Sequence, residues 1–152
     1  MQYEIYETKK NLDGLKVVLE LNLDNYSALI ICGGDGTIHE VINGLLRRPD
    51  KKKLPIGLIP NGSGDDICGQ IGMQPGEVEM GLRYIRKGDT IKIDVSRVLI
   101  DHEDEDHLQE TLLANPSAKI ENFLRYEIIN SSLCILSNTC KNAVPLKPYF
   151  GK

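Results

Sequence analysis

The chain has 152 residues, 41% apolar and 26% charged, the mix of a folded globular protein and not of a disordered one. A net charge of −4 with a pI near 5.4 excludes a dedicated nucleic-acid binder, which would carry a basic face, but leaves room for a local basic patch at a membrane surface. No apolar run reaches the roughly 18 residues that cross a bilayer, and Met1-Gln2-Tyr3-Glu4 lacks the basic-then-apolar pattern of a signal peptide, so a cytoplasmic protein, peripheral at membranes at most, is expected.

Residues 2–7 alternate Tyr3 and Ile5 with polar side chains and read as a strand. Residues 12–23 carry Leu12, Leu15, Val18, Leu19 and Leu21 at helical spacing, with Gly14 as a weak point. Residues 28–32 form a short apolar run suited to a buried parallel strand, and it leads into Gly33-Gly34-Asp35-Gly36-Thr37. Ile38, Val41, Ile42, Leu45 and Leu46 then mark an amphipathic helix, with Arg47 and Arg48 in its last turn and Pro49 to stop it. Residues 54–59 predict a second buried strand, followed by Pro60-Asn61-Gly62-Ser63-Gly64-Asp65-Asp66 and a short helix near 67–71. A helix over 77–86, closed by Gly88, precedes a long alternating strand over 90–100 through Ile91, Ile93 and Val95.

Strands alternating with helices at these lengths predict an α/β fold with a doubly wound parallel sheet. The pattern changes after Ile100. Six acidic residues and two histidines crowd positions 101–110, and 123–133 reads as a strand with no helix of the earlier kind behind it. The expected division is therefore an α/β nucleotide-binding domain over 1–100, then an acidic loop and the beginning of a β-rich domain over 101–152.

Two strand-glycine-helix junctions fall at the carboxyl edge of that sheet, where open α/β sheets bind ligands. Gly33, Gly34 and Gly36 let phosphates approach the backbone, and the following helix offers outward amides and the positive end of its dipole. Gly62, Ser63 and Gly64 repeat the device, and Thr37 and Ser63 add hydroxyls. Neither turn carries the Lys-Ser or Lys-Thr pair of a Walker A loop, and neither is a dinucleotide fingerprint. Phosphate charge must be offset otherwise, and Mg²⁺ is the natural candidate, with Asp35, Asp65, Asp66 or Asp94 as open choices of ligand.

The run Gly33-Gly34-Asp35-Gly36-Thr37-Ile38-His39-Glu40-Val41-Ile42-Asn43-Gly44-Leu45 closely resembles the signature of the diacylglycerol kinase and sphingosine kinase superfamily, and residues 54–66 resemble its second loop. Residues 3–8, Lys92-Ile93-Asp94, Arg125-Tyr126 and Asn130-Ser131-Ser132 are similar to flanking segments of that family. The resemblance implies an ATP- and Mg²⁺-dependent kinase acting on a lipid hydroxyl, of diacylglycerol or a sphingoid base, at a membrane surface. Carried over by position, Thr8, Gly33, Gly34, Asp35, Gly36, Thr37, Glu40, Gly62, Ser63, Gly64 and Asp65 face the nucleotide, and Asp35 is the catalytic or metal-linked carboxylate. Three departures stand out. Asp65 replaces the family's usual asparagine, Leu133-Cys134-Ile135 replaces a glycine-aromatic segment, and the family's first strand and late acidic motif have no counterpart here, so a piece truncated at both ends, inactive alone, is expected.

Other readings compete. NAD kinase shares the first loop, but not the second. A non-catalytic or truncated paralogue that binds nucleotide or a partner is the rival of a different class. His39 is expected to bond backbone at its helix start, and His102 and His107 to sit in a solvated acidic loop and not a metal site. Cys32 is read as core, and Cys32, Cys68, Cys134 and Cys140, with no C-x-x-C spacing, as reduced thiols. Lys51, Lys52 and Lys53 are read as a hydrated turn, with anionic lipid as the alternative; a homodimer is compatible with the sequence.

Overall fold

The structure, a computed structural model, describes residues 2–120 and 123–128. Helix α1 (Asp13–Glu20) and a 3₁₀ turn at Leu23–Asn25 precede β1 (Leu29–Gly33), α2 (Asp35–Leu46) and β2 (Ile56–Pro60). Then come α3 (Asp66–Gln70), α4 (Val78–Lys87), β3 (Ser96–Leu99), α5 (Glu105–Ala114) and β4 (Leu124–Glu127). Strands β1 and β2 pair in parallel from Leu29↔Ile56 to Gly33↔Pro60, while β3 and β4 pair antiparallel from Ser96↔Glu127 to Leu99↔Leu124.

The parallel pair is covered on one face, and on the other chiefly over β2, since Ile30 and Cys32 of β1 stay exposed. On one face Ile31 joins Ile38, Val41, Ile42 and Leu45 of α2 and Val18 of α1 in a buried cluster that also takes in Ile67, Cys68 and Met73. Each such side chain, fully buried, contributes about 1.5–3 kcal/mol. On the other face Gly57 lies between Ile30 and Ile85 of α4; a Cβ there would stand 2.7 Å from either side chain. Gly81 lets α4 approach the β2 backbone, where a Cβ would meet the Leu58 carbonyl at 2.6 Å.

Helix α2 also brackets α1. Both Glu40 carboxylate oxygens accept backbone amides at its start, from Leu12 at 2.9 Å and Gly14 at 3.1 Å. At the other end Arg48 donates to the carbonyls of Val18, Leu19 and Leu21, the acceptors that a helix C-terminus leaves open. Between these clamps Gly44 sits against the Leu15 carbonyl. Arg47 and Arg48 thus lie just past α2, and Arg48 serves the end of its neighbour and not its own helix.

Of the expected doubly wound parallel sheet, the described residues show a mixed α/β architecture with a two-stranded parallel sheet, and its elements are shorter than the pattern implied. Residues 2–7 are not a strand: the segment has no regular secondary structure and is exposed, with Tyr3 and Ile5 at 77% and 83%. The strand expected over 90–100 is confined to Ser96–Leu99, and Ile91 and Ile93 are exposed. Alternation describes what a face could bury, but a strand needs a neighbour to accept its hydrogen bonds. The acidic stretch is not all loop: Asp104 accepts the His107 amide at 2.9 Å and starts α5, and clustered carboxylates suit a helix N-terminus. The β3–β4 ladder joins residues on either side of position 101. Of the strand expected over 123–133, Leu124–Glu127 is seen; positions 129–133, Asn130-Ser131-Ser132, Cys134 and Cys140 lie outside the described residues. Cys32 is exposed and not core, because its side chain alternates away from buried Ile31. Among the described residues no helix is long and apolar enough to cross a membrane.

Candidate functional site

Parallel pairing in register brings β1 and β2 to a common end, with Gly33 beside Pro60. The two glycine turns therefore leave the sheet side by side and touch. The Asn61 amide donates to the Gly33 carbonyl at 3.3 Å. A Cβ on Gly62 would stand 2.4 Å from Gly34 Cα, and one on Gly34 would stand 2.8 Å from Gly62 Cα. Only glycine at both positions permits this backbone contact.

The first turn is built to present amides. Gly34 is the N-cap of α2, in extended conformation, and its carbonyl accepts the amides of Thr37 and Ile38. The amides of Asp35 and Gly36 open the helix and have no intrahelical acceptor. Gly36 is exposed, with no atom within 4 Å of where its Cβ would be, so the mouth of this helix is clear. Thr37 folds back over Gly33, whose Cβ would lie 3.0 Å from the Thr37 hydroxyl. The dipole of a twelve-residue helix and two amides with no acceptor among the described residues suit an anion.

The second turn is buttressed by carboxylates. Asp35 Oδ2 accepts the Asp66 amide at 3.1 Å and Oδ1 the Ile67 amide at 3.0 Å, so the acidic residue of the first turn caps α3. Asp65 takes the left-handed conformation, with φ 55°, and turns inward. Its Oδ1 accepts the Gly62 amide at 2.8 Å. Its Oδ2 is buried without a hydrogen-bond partner among the described residues. Burial beside these two carboxylates also pushes the Cys68 thiol up, which makes it a core group and not a nucleophile.

Gly33, Gly34, Asp35, Gly36 and Thr37 thus stand together with Gly62, Ser63, Gly64 and Asp65 at one edge of the sheet. The remaining expected residues stand elsewhere. Both Glu40 oxygens lie on α1, one turn from the loop. Thr8 lies exposed in the irregular N-terminal segment, and among the described residues no hydrogen bond ties it to either turn. Asp94 is likewise exposed, ahead of β3. The His39 ring does not make the expected backbone bond among the described residues; it meets side chains instead, with Nε2 3.3 Å from the Asn43 amide and Nδ1 3.6 Å from a Glu127 oxygen. His102 is bound to the Ile100 carbonyl and the Thr111 hydroxyl and packs edge-on against Phe123, so it is structural. Lys52 pairs with Asp24 at 2.6 Å.

Sequence reasoning missed Asn43. Its side chain accepts the Tyr126 amide at 3.0 Å and donates to the Tyr126 carbonyl at 2.8 Å, so it pairs with β4 as a strand neighbour would. Arg47 adds a bond to the Leu124 carbonyl. One helix thereby carries the first glycine turn at its start and β4 toward its end. The signal was a polar residue set among Ile42, Gly44 and Leu45.

Among the described residues no group of three or more His, Cys, Asp or Glu forms a closed metal cage. The carboxylates of Asp35 and Asp66 nevertheless both come within 4 Å of one point, the Cβ position of Gly64. A pair of partly exposed carboxylates beside the start of α2 suits Mg²⁺, which usually takes one or two carboxylates and completes its shell with other oxygens and water.

Comparison with known families matches residues 1–98 to the diacylglycerol kinase catalytic domain. Sphingosine kinase 1 of Arabidopsis thaliana is 35% identical over 105 residues, which cover 64% of this chain and 21% of that protein. Sphingosine kinase 2 of Homo sapiens is 34% identical over 86 residues, covering 54% of this chain and 13% of the relative. A diacylglycerol kinase of Staphylococcus aureus (strain JH9) is 34% identical over 93 residues, or 61% and 29% of the two lengths. The chain spans less than a third of the length of these relatives.

Proposed function

The chain belongs to the diacylglycerol kinase catalytic-domain family, and from that membership we propose that it is the nucleotide-binding part of a lipid kinase. The reaction is transfer of the γ-phosphoryl group of ATP to a hydroxyl of diacylglycerol or a sphingoid base. The observation that carries this reading is the locked pair of glycine turns, with two free helix amides and open space at Gly36.

In this reading the Asp35 and Gly36 amides and the dipole of α2 hold the phosphates. The hydroxyls of Thr37 and Ser63 donate to them from the two sides. Asp35 fixes α3, and with it the second turn, by its two amide bonds. Asp35 and Asp66 are the residues that would hold Mg²⁺, which when bound offsets phosphate charge. Transfer breaks the bond from the γ-phosphorus to the bridging oxygen, forms one to the lipid oxygen, and releases the hydroxyl proton. Positioning and charge stabilisation supply most of the acceleration in such transfers. Residues 101–152, including β4 held by Asn43 and Arg47, would begin the lipid-facing part.

Calorimetric titration of the folded 152-residue chain with ATP, with and without Mg²⁺, tests the nucleotide half of the proposal. Saturable binding weakened by a chelator is expected, and absence of binding up to millimolar ATP would overturn it. Radiolabelled phosphate transfer to diacylglycerol and sphingosine in mixed micelles, against an Asp35→Ala control, tests the kinase half. Binding without transfer would mark this polypeptide as a nucleotide-binding unit alone.

A further inference from the structure

Asp65 is the most buried acidic side chain among the described residues, 1% exposed, and the phosphate-holding role given to the turns leaves its charge unexplained. It lies beneath the contact of the two turns: its Oδ1 accepts the Gly62 amide and would be 3.7 Å from a Cβ on Gly34. No Lys or Arg pairs with it among the described residues, and Oδ2 has no donor. A buried carboxylate with an orphaned oxygen is costly and persists only when surrounding structure enforces it. Its left-handed backbone fixes where the carboxylate points. A cation from solvent does not reach Oδ2 while the turns are closed over it, and Oδ1 is already bonded.

We propose that Asp65 is a negative determinant of phosphate affinity, a fixed buried charge under the cradle that weakens a ligand in proportion to the ligand's own negative charge. The inference rests on reading the turns as a nucleotide phosphate site. Buried charges are screened little by salt and act through a lower effective dielectric than surface ones, so the penalty survives physiological ionic strength. It is also graded. The triphosphate is penalised more than the diphosphate, the diphosphate more than the monophosphate, and all of them more when Mg²⁺ is absent. Asp65 thereby sets selectivity among phosphate states as well as strength.

Asp65→Asn keeps the shape and the acceptor for Gly62 and removes the charge. Calorimetry with ATP, ADP, AMP and adenosine, each with Mg²⁺ and with chelator, separates the possibilities. The expected result is tightening of about tenfold or more for ATP, a larger gain without Mg²⁺, a smaller gain for ADP and AMP, and none for adenosine. Should the Asn variant fail to fold, Asp65→Gly, which suits a positive φ, must show the same order of gains. Unchanged or weaker ATP binding, or a gain equal for all four ligands, would overturn the proposal and leave the nucleotide site standing. If neither wild type nor variant, both folded, binds any of the phosphates, the nucleotide reading itself falls and takes this inference with it.

Discussion

The turn after β1 leads into a twelve-residue helix whose first amides face outward, while the turn after β2 leads into a five-residue helix whose first amides are held by Asp35. Glycine does different work in each. Gly36 keeps space open in front of the chain; Gly34 and Gly62 let two backbones meet behind that space. In the proposed function the first turn receives the anion, and the second is its support. Similar composition gives different roles because parallel register sets the turns face to face, and only one can then present its amides to a ligand.

If that division is right, a side chain at Gly36 harms binding and spares the fold. Gly36→Val is expected to lower ATP affinity by about tenfold or more, since its branched side chain would fill the open space in front of the helix start. Its stability should stay within about 1 kcal/mol of wild type, because a β-branched residue in a first helical turn costs little. Calorimetry and urea unfolding on one preparation decide this. Equal loss in both would show that Gly36 belongs to the support.

Gly62→Ala reverses the pattern. The added Cβ meets Gly34 Cα and the Asp65 carboxylate inside normal contact distance, and neither is the free end of a flexible side chain. A loss of about 2–3 kcal/mol in urea unfolding is expected, in line with overpacking of a fixed interior. Gly36→Ala should instead be neutral, or more stable by about 0.5–1 kcal/mol. A harmless Gly62→Ala would mean that the turns do not need to touch.

Asp35→Asn tests the bond between receptor and support. It retains one acceptor for the α3 amides and loses the charge that strengthens both bonds. A cost of about 1–2 kcal/mol is expected. Hydrogen exchange at the Asp66 and Ile67 amides should accelerate more than at Ile38 or Val41. Uniform acceleration would show instead that the whole unit loosens together.

Periodicity revealed β1, α2 and β2 because each buries one consistent set of apolar residues, Ile31, then Ile38-Val41-Ile42-Leu45, then Ile59. It also located the two turns, since glycine beside glycine at a strand end has few other uses. It overreached at 2–7 and 90–95, where Tyr3, Ile5, Ile91 and Ile93 alternate as well as any strand yet have no paired neighbour among the described residues. Alternation is local, and pairing is not. It missed the polar joints for the same reason. Glu40 reaches Leu12 across 28 positions, and Asn43 reaches Tyr126 across 83. Asp65 was legible as a departure, but its inward turn came only with the backbone conformation.

The smallest expected effect lies far from both turns. Arg48 holds the end of α1 and is itself held by Asp50, with Arg48 Nε to Asp50 Oδ1 at 2.9 Å and Nη2 to Oδ2 at 2.6 Å. The hydrogen bonds from Arg48, against an opposing effect of burial, keep the Asp50 carboxyl below the usual carboxylate range. A carboxyl depressed in the folded state stabilises fully above its unfolded pKa, near 4, and the contribution fades as pH falls through the lower folded value. Asp50→Asn should therefore lower the urea midpoint slightly and equally at pH 7 and pH 5, and the gap should narrow at pH 3. Molar salt should narrow it at every pH, because the carboxylate is partly exposed. ATP affinity should not move, since the pair braces α1 on α2 and touches neither turn. A change in affinity without a matching change in stability would mean that the α1 brace reaches the phosphate cradle, and the division between receptor and support would then have to include it.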